Sequence, residues 1–250
     1  MNSRTALLSL MLIASAICPI VCHAEGVLRF GINEANPEPY IFRDPAGKIV
    51  AGIGIELPNL IASQSGLKPV RLPISRNRIE SALRDGTVDV ICLVNKKWVN
   101  DVKDFHWSGA MFSTAELLVR RHDAGEVKNL QELKGQIVGT VIGYSYPPLD
   151  EALRSGVVKR EDAPTELNML KKMLAGRSRY GLIDSINYDY FLRDPANKSM
   201  FASRPLILGS NDVECGVSKK SRVPYAQLAA AFQTIARKKL AEEIVAKYRK

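Results

Sequence analysis

The chain alternates short apolar runs with amphipathic stretches. Residues 27–32 are an apolar run closed by the polar loop 33–39, the pattern of a buried strand. Asp44-Pro45-Ala46-Gly47 is a turn signal. Over 56–65, Leu57, Leu60 and Ile61 recur on one helical face, with Pro58 placed in the first turn and Gly66 as the stop. Residues 68–74 predict a second strand, 77–83 a helix ending at Asp85-Gly86, and 88–94 a third strand. Such β-α-β-α-β alternation argues for a parallel sheet covered by helices. A second round follows, with strands at 115–120, 137–141 and 180–183 and helices near 148–155 and at 165–175. The chain closes with a strand around 213–218 and one long amphipathic helix over 224–248, with Leu228, Phe232, Ile235 and Leu240 inward. Two α/β units joined by extended segments predict a two-lobed α/β fold, each lobe a mostly parallel sheet flanked by helices. The cleft between the lobes is where a small ligand belongs.

The first 24 residues change the picture. Arg4, an apolar run from Ala6 to Ile17 too short to span a bilayer, and Cys22-His23-Ala24 predict a cleavable export signal. The function is then expected outside the cytosol. Lys and Arg total 35 against 26 acids, for a net charge of +9, and only Arg4 leaves with the signal. The positive charges are scattered; the cluster around Arg237-Lys238-Lys239 with Lys247 is interleaved with Glu242 and Glu243, as on a solvated helix face. No basic-aromatic interleaving marks a nucleic-acid platform, so nucleic acid is set aside. Cys92 and Cys215 remain after cleavage, and both a disulfide and two buried free thiols stay open, the thiols being the simpler reading. His106 and His122 stand far apart with no metal-ligand spacing, and Gly52 with Gly54 lacks the third glycine of a dinucleotide fingerprint. Neither a cofactor nor a metal is expected. No apolar stripe is left without a core use, so a monomer is expected.

The order of the pieces resembles bacterial family 3 solute-binding proteins, the periplasmic amino-acid receptors of ABC transporters. Leu28-Arg29-Phe30-Gly31-Ile32 with Pro37-Glu38-Pro39-Tyr40 resembles the family's opening strand and Pro-aromatic loop. Gly47 with Gly52-Ile53-Gly54-Ile55-Glu56-Leu57 is similar to its glycine, aromatic, acid, aliphatic, acid, Leu signature, Gly54 replacing the first acid. Further similar segments are Ala82-Leu83-Arg84-Asp85-Gly86-Thr87-Val88-Asp89, Trp107-Ser108, Leu130-Gln131-Glu132-Leu133-Lys134-Gly135-Gln136-Ile137-Val138-Gly139 and Tyr180-Gly181-Leu182-Ile183-Asp184. The resemblance implies a first lobe of 25–108 plus 212–250 and a second lobe of 109–211.

The resemblance also implies a site. The family binds the ligand carboxylate with an Arg in a Thr-x-x-Arg step, and counting without a gap puts Trp98 and Asp101 at those two positions. Two like charges about 4 Å apart repel by about 4 kcal/mol at an effective dielectric of 20, so a carboxylate at that place cannot do the work. Replacement cations are Lys96 or Lys97, on the loop where the family places ligand-binding serines, and Arg76 or Arg78, in the turn after the second strand. In the second lobe, Ser145 and Tyr146, ahead of the helix near Pro148, are expected to offer amides and a hydroxyl to an anion; helix capping is the alternative role. Asp184 falls on the family's ammonium-binding acid, with an N-cap as its ordinary role. Tyr40, Trp98 and Tyr188 are candidate aromatic walls, or simply core.

A retained acid with a relocated cation implies an amine-bearing solute, handed to an inner-membrane ABC permease. The alternatives are a solitary sensory receptor and an enzyme similar to the periplasmic cyclohexadienyl dehydratases, for which Glu34 and Glu56 are the nominal general acids.

Overall fold

The computed structural model describes residues 26–249; the export signal read at residues 1–24 lies outside the described residues. The chain opens with β1 (Val27–Asn33), a small hairpin of β2 (Phe42–Arg43) and β3 (Ile49–Ala51), α1 (Ile53–Gln64), β4 (Lys68–Ile74), α2 (Ile79–Asp85), β5 (Val90–Val94) and β6 (Phe105–Trp107). It continues through β7 (Phe112–Arg120), β8 (Ile137–Val141), α3 (Asp150–Arg154), β9 (Lys159–Ala163), α4 (Glu166–Leu174), β10 (Tyr180–Asp184), α5 (Ser185–Phe191) and α6 (Pro195–Met200). It ends with β11 (Leu206–Ser218), α7 (Tyr225–Arg237) and α8 (Leu240–Arg249).

The fold is α/β with two lobes. The strands follow the order β4-β1-β5-β11-β7-β10-β8-β9, with β6 also paired to β11. β1 pairs parallel with β4 and β5, and β8 pairs parallel with β9 and β10. The strands between these outer groups are antiparallel. Residues 214–217 of β11 pair with β5, and residues 206–213 of the same strand pair with β7. One continuous strand thus belongs to both lobes. β4 contains Pro69 and Pro73 and lies at the sheet edge, where a missing N–H donor breaks no ladder.

Apolar side chains fill both faces of each sheet. On one side of the first lobe Leu28, Phe30, Leu57, Ile61, Leu228 and Phe232 pack together; on the other Leu83, Ile91 and Phe105 do. In the second lobe Met169, Leu170 and Met173 of α4 cover one face of the sheet. Leu133, Leu149 and Val158 cover the other.

Several elements differ from the sequence reading. α1 begins three residues before the expected 56, capped by Gly52 at φ +112; a Cβ there would sit 2.5 Å from the Tyr40 carbonyl oxygen, so only glycine fits. Pro58 therefore lies in the second turn, not the first. The expected single helix over 224–248 is two helices, broken at Lys238 and at Lys239, whose φ is +55. The break turns α8 so that Ala241, Ile244 and Val245 also reach the core. There Lys247 and Tyr248 hold Glu56, and Arg249 faces Asp189 of α5 at 3.9 Å. β9 was invisible to hydrophobic patterning because Lys159, Arg160, Glu161 and Asp162 make up most of it, as suits a charged edge strand. The pairing of β5 with β11 places Cys92 opposite Cys215, and the two form a disulfide rather than free thiols.

Candidate functional site

The lobes meet around the junction of β10 and α5. Asp184 ends β10 and caps α5: its Oδ1 accepts from the backbone N–H of Ile186 at 2.8 Å and of Asn187 at 3.1 Å. The same oxygen accepts from Tyr40 Oη at 3.2 Å and Thr114 Oγ1 at 3.3 Å. Tyr40 is held in place because the N-terminus of α1 binds its loop: Ile53 N–H donates to the Pro39 carbonyl and Gly54 N–H to that of Tyr40. A first-lobe hydroxyl therefore touches the second-lobe acid. Burial, then the charges of Asp184 and Glu166, push the Tyr40 phenol well up, so it stays a donor.

Beside Asp184 lies Glu166, the first residue of α4 after the Thr165 cap. It is 6% exposed, accepts from Asp184 N–H at 3.3 Å and from Asn187 Nδ2, and has no Lys or Arg partner among the described residues. Burial, followed by the charge of Asp184, drives the Glu166 carboxyl well above the usual carboxylate range. Glu116 on β7 is raised too, by burial and then by Asp150. The second-lobe wall is therefore acidic.

Arg76 reaches across from the first lobe, its guanidinium 4.7 Å from the centre of the Tyr144 ring. Tyr144 itself is pushed up to about 12, by burial and Glu166, with Arg76 opposing. Further contacts close the lobes. Tyr190 Oη donates to Glu38 at 3.4 Å, and the Tyr190 ring meets Phe42 edge-on at 5.7 Å.

The other expected residues fall as follows. Arg78 is exposed at the start of α2, its carbonyl accepting from Ser81 Oγ. Lys96 Nζ is bound to Glu214 at 2.8 Å, a buried acid that the sequence did not single out. Trp98 is 49% exposed on a single 3-10 turn. Ser145 Oγ donates to Asp150 Oδ2 at 2.7 Å and Tyr146 N–H to Asp150 Oδ1 at 2.8 Å, so the chain's own carboxylate holds the donors expected to meet a ligand anion. The Tyr146 ring is buried, and its oxygen accepts from Val141 N–H at 2.9 Å. Tyr188 is core, edge-on to Phe201 at 5.9 Å. Asp101 binds Arg84 at 3.1 Å and is 63% exposed. The structure thus brings Tyr40, Asp184 and Arg76 to the lobe boundary, and adds Glu166, Asn187 and Thr114. Nothing in a helix beginning Thr165-Glu166 told that acid from an ordinary first-turn charge.

Two α/β lobes sharing one long strand, with polar side chains meeting between them, define a two-lobed binding protein of the periplasmic type. The model of the bacterial extracellular solute-binding proteins, family 3, matches residues 28–250, and the chain belongs to that family. The L-cystine-binding protein TcyJ of Escherichia coli (strain K12) is 28% identical over 173 residues, which cover 66% of this chain and 59% of TcyJ. Among solved structures, an ancestral arginine-binding protein bound to arginine is similar at TM-score 0.68 and 22% identity, covering 90% of this chain and 99% of that one. The ancestral amino acid-binding protein AncCDT-1, a precursor of cyclohexadienyl dehydratase, matches at TM-score 0.68 and 16% identity, covering 90% and 96%. A histidine kinase sensor domain with similarity to periplasmic binding proteins matches at 0.70 and 21%, also covering 90% and 96%.

Proposed function

We propose that this chain is a periplasmic receptor that closes its lobes, 25–108 with 212–250 and 109–211, on a small amine-bearing solute. An amino acid or a derivative fits, delivered by the monomeric receptor to an ABC-type permease. The observation that supports this reading is the contact between Tyr40 and Asp184, which sets an acid with no basic partner among the described residues against the opposite lobe. An ammonium replacing the phenol would meet Asp184 through a charge-assisted hydrogen bond, and closure would then follow from contacts to both lobes. Arg76 is the cation placed to receive an anionic end, since Lys96 is neutralised by Glu214.

The test is thermal unfolding of the full chain, expressed with residues 1–24 in place, against amino acids, amines, opines, short peptides and aromatic acids. A ligand at a hundred times its Kd adds about 2.7 kcal/mol, a shift of several degrees. D184N should abolish the shift; an unchanged shift in D184N refutes the assignment of the ammonium to Asp184.

Two further readings have specific support. The likeness to a sensor domain at TM-score 0.70 supports a solitary receptor, which deletion of a neighbouring permease would leave functional. The enzyme reading cannot rest on Glu34, which is exposed, or on Glu56, which is bound by Lys247 and Tyr248. Glu166 is the buried carboxyl it would need, and turnover of a carboxylated cyclohexadienyl acid that is lost in E166Q would establish it.

A further inference from the structure

Two side chains of the cleft remain unassigned once Asp184 is given to the ligand's ammonium. Glu166 is buried with one side-chain donor, Asn187 Nδ2, and no cation among the described residues. Asn187 is 5% exposed, and its Oδ1 has no partner at all. Asp184 Oδ1 already accepts four donors, so its capacity at that atom is filled by the protein. What is left is a buried amide oxygen of Asn187 with no donor, beside two carboxyl groups, Glu166 and Asp184, that have hydrogen-bond donors but no cation among the described residues. Buried polar atoms are ordinarily satisfied, and an unmet oxygen on a side chain whose amide nitrogen binds Glu166 and whose backbone N–H binds Asp184 calls for a donor supplied from outside.

We propose that Glu166, Asp184 and Asn187 form a cradle for a cationic group with several N–H donors, a guanidinium or a second ammonium. The site thereby selects solutes with a positive end over neutral ones. This rests on the reading of the cleft as a solute site and deepens it. A guanidinium presents a planar fork of donors that matches two carboxyl groups and an amide oxygen, whereas a neutral urea or amide of the same shape leaves both acids uncompensated.

A proton follows the ligand. Glu166 faces Asp184 at the end of β10 and Glu116 of β7, with Tyr40, Tyr144 and Tyr146 as neutral neighbours from the first lobe and the loop after β8. Arg76 lies over Tyr144, so its charge acts on that phenol. Without a cation, burial and the neighbouring charge of Asp184 favour the protonated Glu166 carboxyl. When a cation docks, that proton leaves for the buffer, and affinity rises with pH until Glu166 is ionised in the empty site.

The experiment is isothermal titration of the full chain with L-arginine, L-ornithine and agmatine, each set against a neutral counterpart, L-citrulline or L-glutamine. Titration in two buffers of different ionisation enthalpy counts the protons. The cradle predicts a preference of at least about tenfold for a cationic member of the set, with proton release on binding. In E166Q the preference and the proton release disappear while the fold, followed by thermal unfolding, is kept. Equal affinity for arginine and citrulline, or a preference that survives in E166Q, overturns the cradle. If a neutral amino acid binds and no cationic one does, the cradle falls and the solute-site reading stands; if no amine-bearing solute binds, both fall. Proton release is read on the unmutated chain, so the test does not depend on E166Q folding.

Discussion

Tyr40 donates its hydroxyl to Asp184 at 3.2 Å, and this one hydrogen bond joins a loop anchored on α1 to the first turn of α5 in the other lobe. On the proposed reading, a ligand ammonium meeting Asp184 takes the place of the phenol, and the hydrogen bond is expected to hold the lobes together without ligand. Y40F removes that bond and leaves the ring. A hydrogen bond to a charged group contributes about 1.5–3 kcal/mol, enough to move a closed population toward open. The radius of gyration of unliganded Y40F in small-angle scattering should exceed that of the unmutated chain, and identical scattering would remove Tyr40 as a latch.

Asp89 has a structural task. Fully buried, it accepts from Arg29 Nη2 at 2.7 Å, Nε at 2.9 Å and backbone N at 2.9 Å, tying β1 to the start of β5. Burial alone would raise its pKa, but the bonds from Arg29 outweigh burial and hold the carboxyl below the usual range. A depressed folded-state pKa stabilises the fold above the unfolded value, near about 3.9, and that stabilisation is lost as pH falls through the folded value. D89N should therefore cost about 3 kcal/mol at neutral pH, because it strands Arg29, and progressively less as the pH falls below the unfolded value. Urea midpoints as a function of falling pH measure this; a cost that does not change with pH would mean that Asp89 contributes by shape rather than charge.

The disulfide between Cys92 and Cys215 closes a sequence separation of 123 residues, encompassing the whole second lobe. Loops of this length contribute about 4–5 kcal/mol in the chain-entropy picture. C215A should lower the melting temperature by several degrees or more, and reductant should do the same to the unmutated chain. A melting temperature indifferent to reductant would show that the strand pairing suffices without the bond.

How much was legible varied by element, for physical reasons. The strand at β1, the strand at β4, the helix α4 and the strand at β10 could be read because each carries its own hydrophobic pattern. β9 could not, since a charged edge strand has no hydrophobic signature, and the α7–α8 break could not, since Lys238 and Lys239 do not interrupt the apolar stripe. In the site, Asp184 was visible through the family resemblance of Tyr180-Gly181-Leu182-Ile183-Asp184, which places an acid at the end of an apolar strand. Glu166, Asn187 and Glu214 were not, because nothing local distinguishes a cleft acid from a solvated one. Ser145 and Tyr146 were placed on the right loop, but the donors there are met by Asp150, a partner four or five residues further on.

By itself, the order of apolar runs and breakers determined a two-lobed α/β chain, because burying the apolar face of each locally periodic segment is the main force that forms it. Only the tertiary structure decided which charges meet. β11 serves both lobes and pairs Cys215 with Cys92, bringing residues 123 positions apart into a bond. α4 and β10 place Glu166 against Asp184, and the α1 loop lays Tyr40 on top. Electrostatic energies depend on distance and burial, which no spacing along a chain specifies.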